Sequence, residues 1–183
     1  DAARWMGYEF ARRSLGSMFV LNKNAPGGPV EEEYEVLNVN EFNSTRKRMS
    51  VALRCPDGRV RLFVKGADNV IMERLKGGKG GGRPGDASVG ATNEHLTQFS
   101  EIGLRTLCCA VRELDEGTWQ AWDATHKAAA CAIDDRKAKL MAAAEAIEED
   151  SSLFSGVLGK HSKIGGAVKR AGKAIRSIKT QED

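Results

Sequence analysis

From Tyr34 the chain alternates between apolar and polar positions. Residues 34–42 (YEVLNVNEF) put Tyr34, Val36, Asn38 and Asn40 on one side and Leu37 and Val39 on the other. That predicts a strand, because successive side chains of extended chain point to opposite faces. Two further β-rich runs follow, MSVALRC and RVRLFVK. In the second, Val60, Leu62 and Val64 alternate with Arg59, Arg61 and Phe63, as in a strand with one drier and one wetter face. The two runs are joined by Pro56-Asp57-Gly58, a turn in which Pro presets φ and Gly accepts a positive φ. Gly66-Ala67-Asp68 then leads into NVIMERL, whose Val70, Ile71 and Leu75 suit a short helix with Asp68 as its N-cap. Further on, NEHLTQFSEIG predicts a helix ended by Gly103, and LRTLCCAVREL a buried strand. Residues 117–149 predict the longest helical stretch, broken near 132–135. Trp119 and Trp122, three apart, share a face there and read as core or helix-docking residues. Ahead of Tyr34, DAARWMGY predicts a helix stopped at Gly7, residues 8–22 short strands or irregular structure, and NKNAPGGP a loop. The sum is an α/β (α+β) chain, an antiparallel sheet with helices packed outside it.

Composition divides this body from its end. Of the 28 Lys/Arg and 25 Asp/Glu of the 183 residues, 151–183 hold seven and two, leaving the first 150 residues with 21 basic and 23 acidic groups. Within that tail Val157, His161, Ile164, Val168, Ala171, Ile175 and Ile178 recur at alternating spacings of four and three, with lysines and arginines between them. This is a basic amphipathic pattern, weakened by Gly159, Gly165, Gly166 and Gly172 at about 1 kcal/mol each relative to Ala. The domain reading is therefore 1–150 as a folded domain, carrying a flexible Gly-rich insertion at 77–90, and 151–183 as a basic amphipathic or disordered tail. The insertion lacks the Gly-Lys-Ser/Thr ending and the flanking strand and helix of a phosphate loop. Cys55, Cys108, Cys109 and Cys131 lack CxxC spacing and the three histidines are scattered, so buried free thiols are expected and no metal site. No apolar run approaches the ~20 residues that span a bilayer.

Two segments carry the candidate chemistry: EFNSTRKRMSV between two strands, and KGAD at a strand end leading into a helix. Phe42 offers an aromatic face on which a purine can stack, a contact of about 1–3 kcal/mol where measured for bases on aromatic side chains. Lys47 and Lys65 offer point charges for phosphate. Gly66 permits close approach of a ligand to backbone, and the helix after it has free N–H groups. Arg105, two residues after Gly103, supplies a planar fork for an anionic oxygen. Each has a blander reading: a strand Phe is ordinarily core, and an RKR cluster is ordinarily a solvated face. The residues alone give a mixed α/β domain that binds anions.

EFNSTRKRMSV, KGADNVIMERL and GLRTLCCAVREL, in this order and between strands, resemble the nucleotide-binding domain of P-type ATPases, and in their wording the type IV group, the phospholipid flippases. The resemblance covers roughly residues 1–149. It departs from the family wording at Val64, where Cys is usual, and at Ile102, where an acid is usual. It implies ATP binding: Phe42 stacked on adenine, Lys65 at the base and ribose end, Lys47 at the pocket wall, and Arg105 on the phosphates. Glu41, Gly66, Ala67 and Asp68 are implied as supporting residues. A further adenine contact in the family is a Glu just upstream of Ala-Ala; here Asp1 precedes Ala2-Ala3 and that Glu is absent.

The family reaction transfers phosphoryl to the Asp of a DKTGT motif, with Mg²⁺ on the phosphates, and uses a DGET-type loop for dephosphorylation. Neither motif occurs in the 183 residues. The resemblance thus implies no catalytic residue here, Mg²⁺ that arrives with the nucleotide, and separate phosphorylation, actuator and transmembrane domains as partners. It implies a place on the cytosolic face of a membrane, with this chain soluble by itself. After residue 150 the family wording is lost. The tail is expected either to be disordered or to lie on an anionic membrane surface. An alternative function is a non-enzymatic nucleotide- or membrane-surface-binding protein that retains the fold. The tail lacks interleaved aromatics and the chain lacks nucleic-acid-binding motifs, which argues against nucleic acid.

Overall fold

A computed structural model describes residues 2–75 and 87–149. The basic tail and most of the Gly-rich insertion lie outside the described residues. Six strands follow one another as hydrogen-bonded neighbours in chain order, β1 (Tyr8–Ser14), β2 (Ser17–Asn22), β3 (Val30–Asn43), β4 (Arg48–Arg54), β5 (Val60–Gly66) and β6 (Cys108–Leu114). The helices are α1 (Ala2–Trp5), α2 (Asp68–Met72), α3 (Ala87–Glu101), α4 (Glu116–Ala130) and α5 (Arg136–Glu149). The antiparallel sheet with helices is the architecture that the alternation predicts. The chain divides into two compact units near residue 35, and β3 contributes to both.

In the first unit, β1 and β2 form a hairpin closed at Ser14 and Ser17 by Leu15-Gly16, and β2 pairs in turn with the first residues of β3. Residues 8–22, expected as short strands or irregular structure, are thus regular, with a register shift between Phe10 and Arg12. The Arg12 guanidinium lies 3.4 Å over the Phe19 ring and donates to Glu31 at 2.7 Å.

The second unit holds the core. Register pairs Arg48 with Gly66 and Gly66 with Cys108, and continues through Ser50, Val64 and Ala110 to Ala52, Leu62 and Arg112. These positions form one face of the sheet, and all of them are buried. Ala52, Val60, Leu62 and Val64 pack there with Ile71 and Leu75 beyond β5, Val89 of α3, Trp119 and Trp122 of α4, and Ile147 of α5. Leu62 is 0 % exposed, at the centre. The other face carries Met49, Val51, Arg61, Phe63, Lys65, Cys109, Val111 and Glu113, half-buried or exposed.

The β4–β5 connection forms as the Pro-Asp-Gly motif predicts. Gly58 has φ +78, its N–H bonds the Cys55 carbonyl at 2.8 Å, and Asp57 binds Arg61. Helices α4 and α5 are separated at residues 131–135, where the break is expected. The two tryptophan rings lie 5.3 Å apart, and Trp122 Nε1 donates to the Ala143 carbonyl at 2.8 Å, docking α4 on α5.

Four expectations need correction. Asp68 is not the N-cap of α2: Ala67 is, with extended ψ of 142° and no side-chain cap, because its N–H is held by the Lys47 carbonyl at 3.1 Å. Asp68 instead accepts from the neighbouring Asn69 N–H. The cysteines divide into buried Cys55 and Cys108 and exposed Cys109 and Cys131. Residues 104–107, read as the start of a buried strand, belong to no strand, and β6 begins only at Cys108. Helix α3 takes in Ala87 to Gly90, which composition assigns to the insertion.

Candidate functional site

The meander topology sends alternate strand ends to the same edge. The end of β3 carries Glu41 and Phe42, the turn into β4 carries Lys47, the end of β5 carries Lys65 and Gly66, and the approach to β6 carries Arg105. Adjacent antiparallel strands place these four points at one end of the sheet. Phe42, Lys47, Lys65 and Arg105 are all exposed, as are Glu41 and Asp68. Phe42 is 65 % exposed, so the core reading of this aromatic does not hold.

The local backbone explains the presentation. Asn43 builds the β3–β4 turn: its carbonyl accepts from Lys47 N–H at 2.7 Å and its Oδ1 from Thr45 N–H at 2.7 Å. Lys47 sits at φ +54, a left-handed conformation that a non-glycine residue adopts only when its neighbours are fixed. Gly66 is required where it is, since a Cβ there would lie 2.6 Å from Arg48 Cβ and 2.7 Å from the Lys47 carbonyl oxygen. The KGAD segment and the β3–β4 turn are therefore in direct backbone contact, through that close approach and the Ala67 N–H bond. On the open face Lys65 stands in register between Met49 and Cys109. Atoms around the Cys109 thiol desolvate it and push it up, partly offset by the Lys65 charge. Arg105 follows the end of α3, where Gly103 takes φ +74 and Leu104 N–H returns to the Phe99 carbonyl at 2.9 Å.

The basic cluster is the largest surprise. Of Arg46, Lys47 and Arg48, only Lys47 is solvated; both arginines are buried, contrary to the solvated-face expectation for RKR. They converge on Glu148 at the end of α5, a carboxylate 0 % exposed. Arg46 Nη1 donates to both of its oxygens at 2.9 and 3.0 Å, Arg48 Nε to one at 2.6 Å, and Ser50 Oγ to the other at 2.6 Å. Asn40 Nδ2 donates to Ser50 Oγ at 3.0 Å, extending the network to β3. Two more arginines reach the same helix end: Arg112 Nη1 to the Ile147 carbonyl at 2.9 Å, and Arg74 Nη2 to Glu149 at 3.0 Å. A helix C-terminus carries partial negative charge, which favours this gathering of cations. The signal that finds Arg48 in the sequence is phase: it lies two and four residues before Ser50 and Ala52, on the side that β4 buries.

Among the described residues no three His, Cys, Asp or Glu side chains gather where they could hold a metal ion. The chemistry on offer is an exposed aromatic, two lysines and an arginine at one sheet end, suited to a planar base joined to an anion. Among the described residues no helix is long and apolar enough to cross a membrane.

Comparison with known proteins bears on this arrangement. A family model described as P-type ATPase, cytoplasmic domain N, matches residues 17–160. A phospholipid-transporting ATPase of Schizosaccharomyces pombe is 45 % identical over 151 residues, which are 81 % of this chain and 11 % of that protein. One from Saccharomyces cerevisiae is 43 % identical over 149 residues, 81 % of this chain and 10 % of that protein. A probable phospholipid-transporting ATPase of Arabidopsis thaliana is 41 % identical over 155 residues, 84 % of this chain and 12 % of that protein. The chain thus spans only 10–12 % of the length of these three relatives.

Proposed function

Since the chain belongs to the P-type ATPases as their cytoplasmic N domain, within the phospholipid-transporting type IV group, we propose that it binds ATP at the Phe42–Lys65 end of its sheet. The observation that carries the reading is that Phe42, Lys47, Lys65 and Arg105 are all exposed and lie at the end of β3, just before β4, near the end of β5 and just ahead of β6, which the meander topology puts at the same end of the sheet. In this assignment Phe42 stacks on adenine and Lys65 lines the base and ribose end. Lys47 forms the wall, and Arg105 holds phosphate oxygens through its guanidinium fork. Gly66 and Ala67 keep the backbone low beneath the ligand, with Glu41 and Asp68 at the rim. Mg²⁺ carried by the nucleotide would neutralise phosphate charge, and no residue of this chain is assigned to hold it.

In the protein that contains it, the domain presents ATP to an aspartate of a separate domain. The Asp carboxylate attacks the γ-phosphorus, the bond to the bridging oxygen breaks, and ADP leaves an aspartyl phosphate whose hydrolysis drives lipid between leaflets. The residues of this chain bind and orient the nucleotide; positioning of this kind supplies much of the rate in phosphoryl transfer. Its partners are then the phosphorylation, actuator and transmembrane domains.

Base and phosphate recognition separate in a titration with ATP and with adenosine. Arg105→Gln should weaken ATP by about ten- to a hundredfold, the worth of a charge-assisted hydrogen bond, and leave adenosine unchanged. An equal loss for both ligands would contradict the assignment of Arg105 to phosphate.

A further inference from the structure

We propose that Glu148 is a positioning residue for the nucleotide site, a buried clamp that fixes Phe42 and Lys47 from beneath through Arg46 and Arg48. The inference rests on the ATP-binding reading above and deepens it.

Arg46 bridges two places. Its Nη1 holds both oxygens of Glu148, while its Nη2 donates to the Glu41 carbonyl at 2.5 Å, the peptide oxygen immediately before Phe42. Arg48 donates from Nε to Glu148 at 2.6 Å and from Nη1 to the Arg46 carbonyl at 3.1 Å. The residues on either side of Lys47 are thus tied to one carboxylate. Between two such anchors the Lys47 backbone takes its left-handed turn, and its side chain is the exposed one of the three. The Lys47 carbonyl then receives the Ala67 N–H, so the same clamp sets the height of KGAD.

Glu148 itself is out of solvent and about a hundred residues from its partners in sequence, so it cannot touch a ligand at the exposed edge. Its effect must pass through the turn. A carboxylate is the group the place demands, because three donors (two guanidinium groups and a hydroxyl) point at it and each of its two oxygens accepts two bonds. Replacing it with an amide keeps the shape and sets an N–H₂ against those donors.

The test uses the whole 183-residue chain and its Glu148→Gln, Glu148→Asp and Arg46→Lys variants. Far-UV circular dichroism establishes that each is folded, ATP affinity is measured by titration, and amide spectra are recorded without nucleotide. Folded Glu148→Gln should lose about tenfold in ATP affinity, the low end of what loss of an outer-shell partner costs a binding site. The Phe42 and Lys47 amides should shift before any ATP is added. Glu148→Asp, which keeps the charge, should recover part of the affinity. If Glu148→Gln does not fold, Arg46→Lys carries the same prediction, since its single ammonium cannot hold both the carboxylate and the Glu41 carbonyl.

A purely structural Glu148 would lower the melting temperature and leave the affinity of the folded protein unchanged, and that result overturns this inference alone. Absence of ATP binding by the unaltered chain, under the same conditions, overturns the nucleotide reading and this inference with it.

Discussion

Phe42 sits at the end of a strand with most of its ring in solvent, a placement that gains nothing for the core. Its removal should therefore leave stability nearly unchanged and weaken ATP by about 1–3 kcal/mol, the worth of one base–aromatic stack. The thiols report on the same edge. Cys109 is the register neighbour of Lys65, exposed but with its thiol pushed up by desolvation, whereas Cys55 and Cys108 are buried. An alkylating reagent at neutral pH should modify Cys131 fastest, Cys109 slowly and faster as pH rises, and Cys55 and Cys108 only on unfolding. ATP should protect Cys109 and not Cys131; mass spectrometry of the alkylated chain checks both orders. The candidate ligand-binding side chains were singled out by the family resemblance, each having a blander reading by itself, and the structure adds that all four are exposed. The buried arginines were not, since composition reads RKR as solvated and only the phase of β4 says otherwise.

At the scale of elements, alternation and turn chemistry gave the β4–β5 hairpin, the break between α4 and α5, and the shared face of Trp119 and Trp122. What they could not give was the start of α2. An Asp after Gly-Ala has the chemistry of a cap, but the Ala67 N–H, donating to the Lys47 carbonyl some twenty residues away in sequence, moves the boundary. The grip of α5 on β4 was likewise illegible, because it joins residues about a hundred apart through a carboxylate that looks ordinary in its own helix. The contact between KGAD and the turn makes a sharp prediction. Gly66→Ala sets a Cβ against Arg48 Cβ and the Lys47 carbonyl, and should cost about 1–3 kcal/mol in urea unfolding, as overpacking does. It should also weaken ATP binding, because the Lys47 backbone has to give way. A neutral Gly66→Ala would mean that this close approach plays no part in holding the site.

Across the whole molecule, several titrating groups favour the folded state in one direction of pH. Asp57 is held below the usual carboxylate range by Arg61, Asp115 by Thr118, Glu116 by Arg54, and Glu9 by Lys23 and Arg4. Each contributes stability above its unfolded value that is lost as pH falls through its lower folded value. His126, stacked 4.9 Å from Trp122, is lowered from 6.5 by burial, so the unfolded chain takes its proton first and stability falls as pH drops below 6.5. Melting temperature should decline in two stages, a shallow one below pH 6.5 that His126→Gln removes and a steeper one below about pH 4. A His126→Gln variant that keeps the shallow stage would assign it elsewhere. The central claim is that ATP binds this chain at the edge where β3, β4, β5 and β6 bring Phe42, Lys47, Lys65 and Arg105 together. Its most direct test is an amide-resolved titration of ATP into the full chain and into Phe42→Ala. Shifts confined to those strand ends, and lost in the variant, are predicted; shifts elsewhere, or none at millimolar ATP, would contradict it.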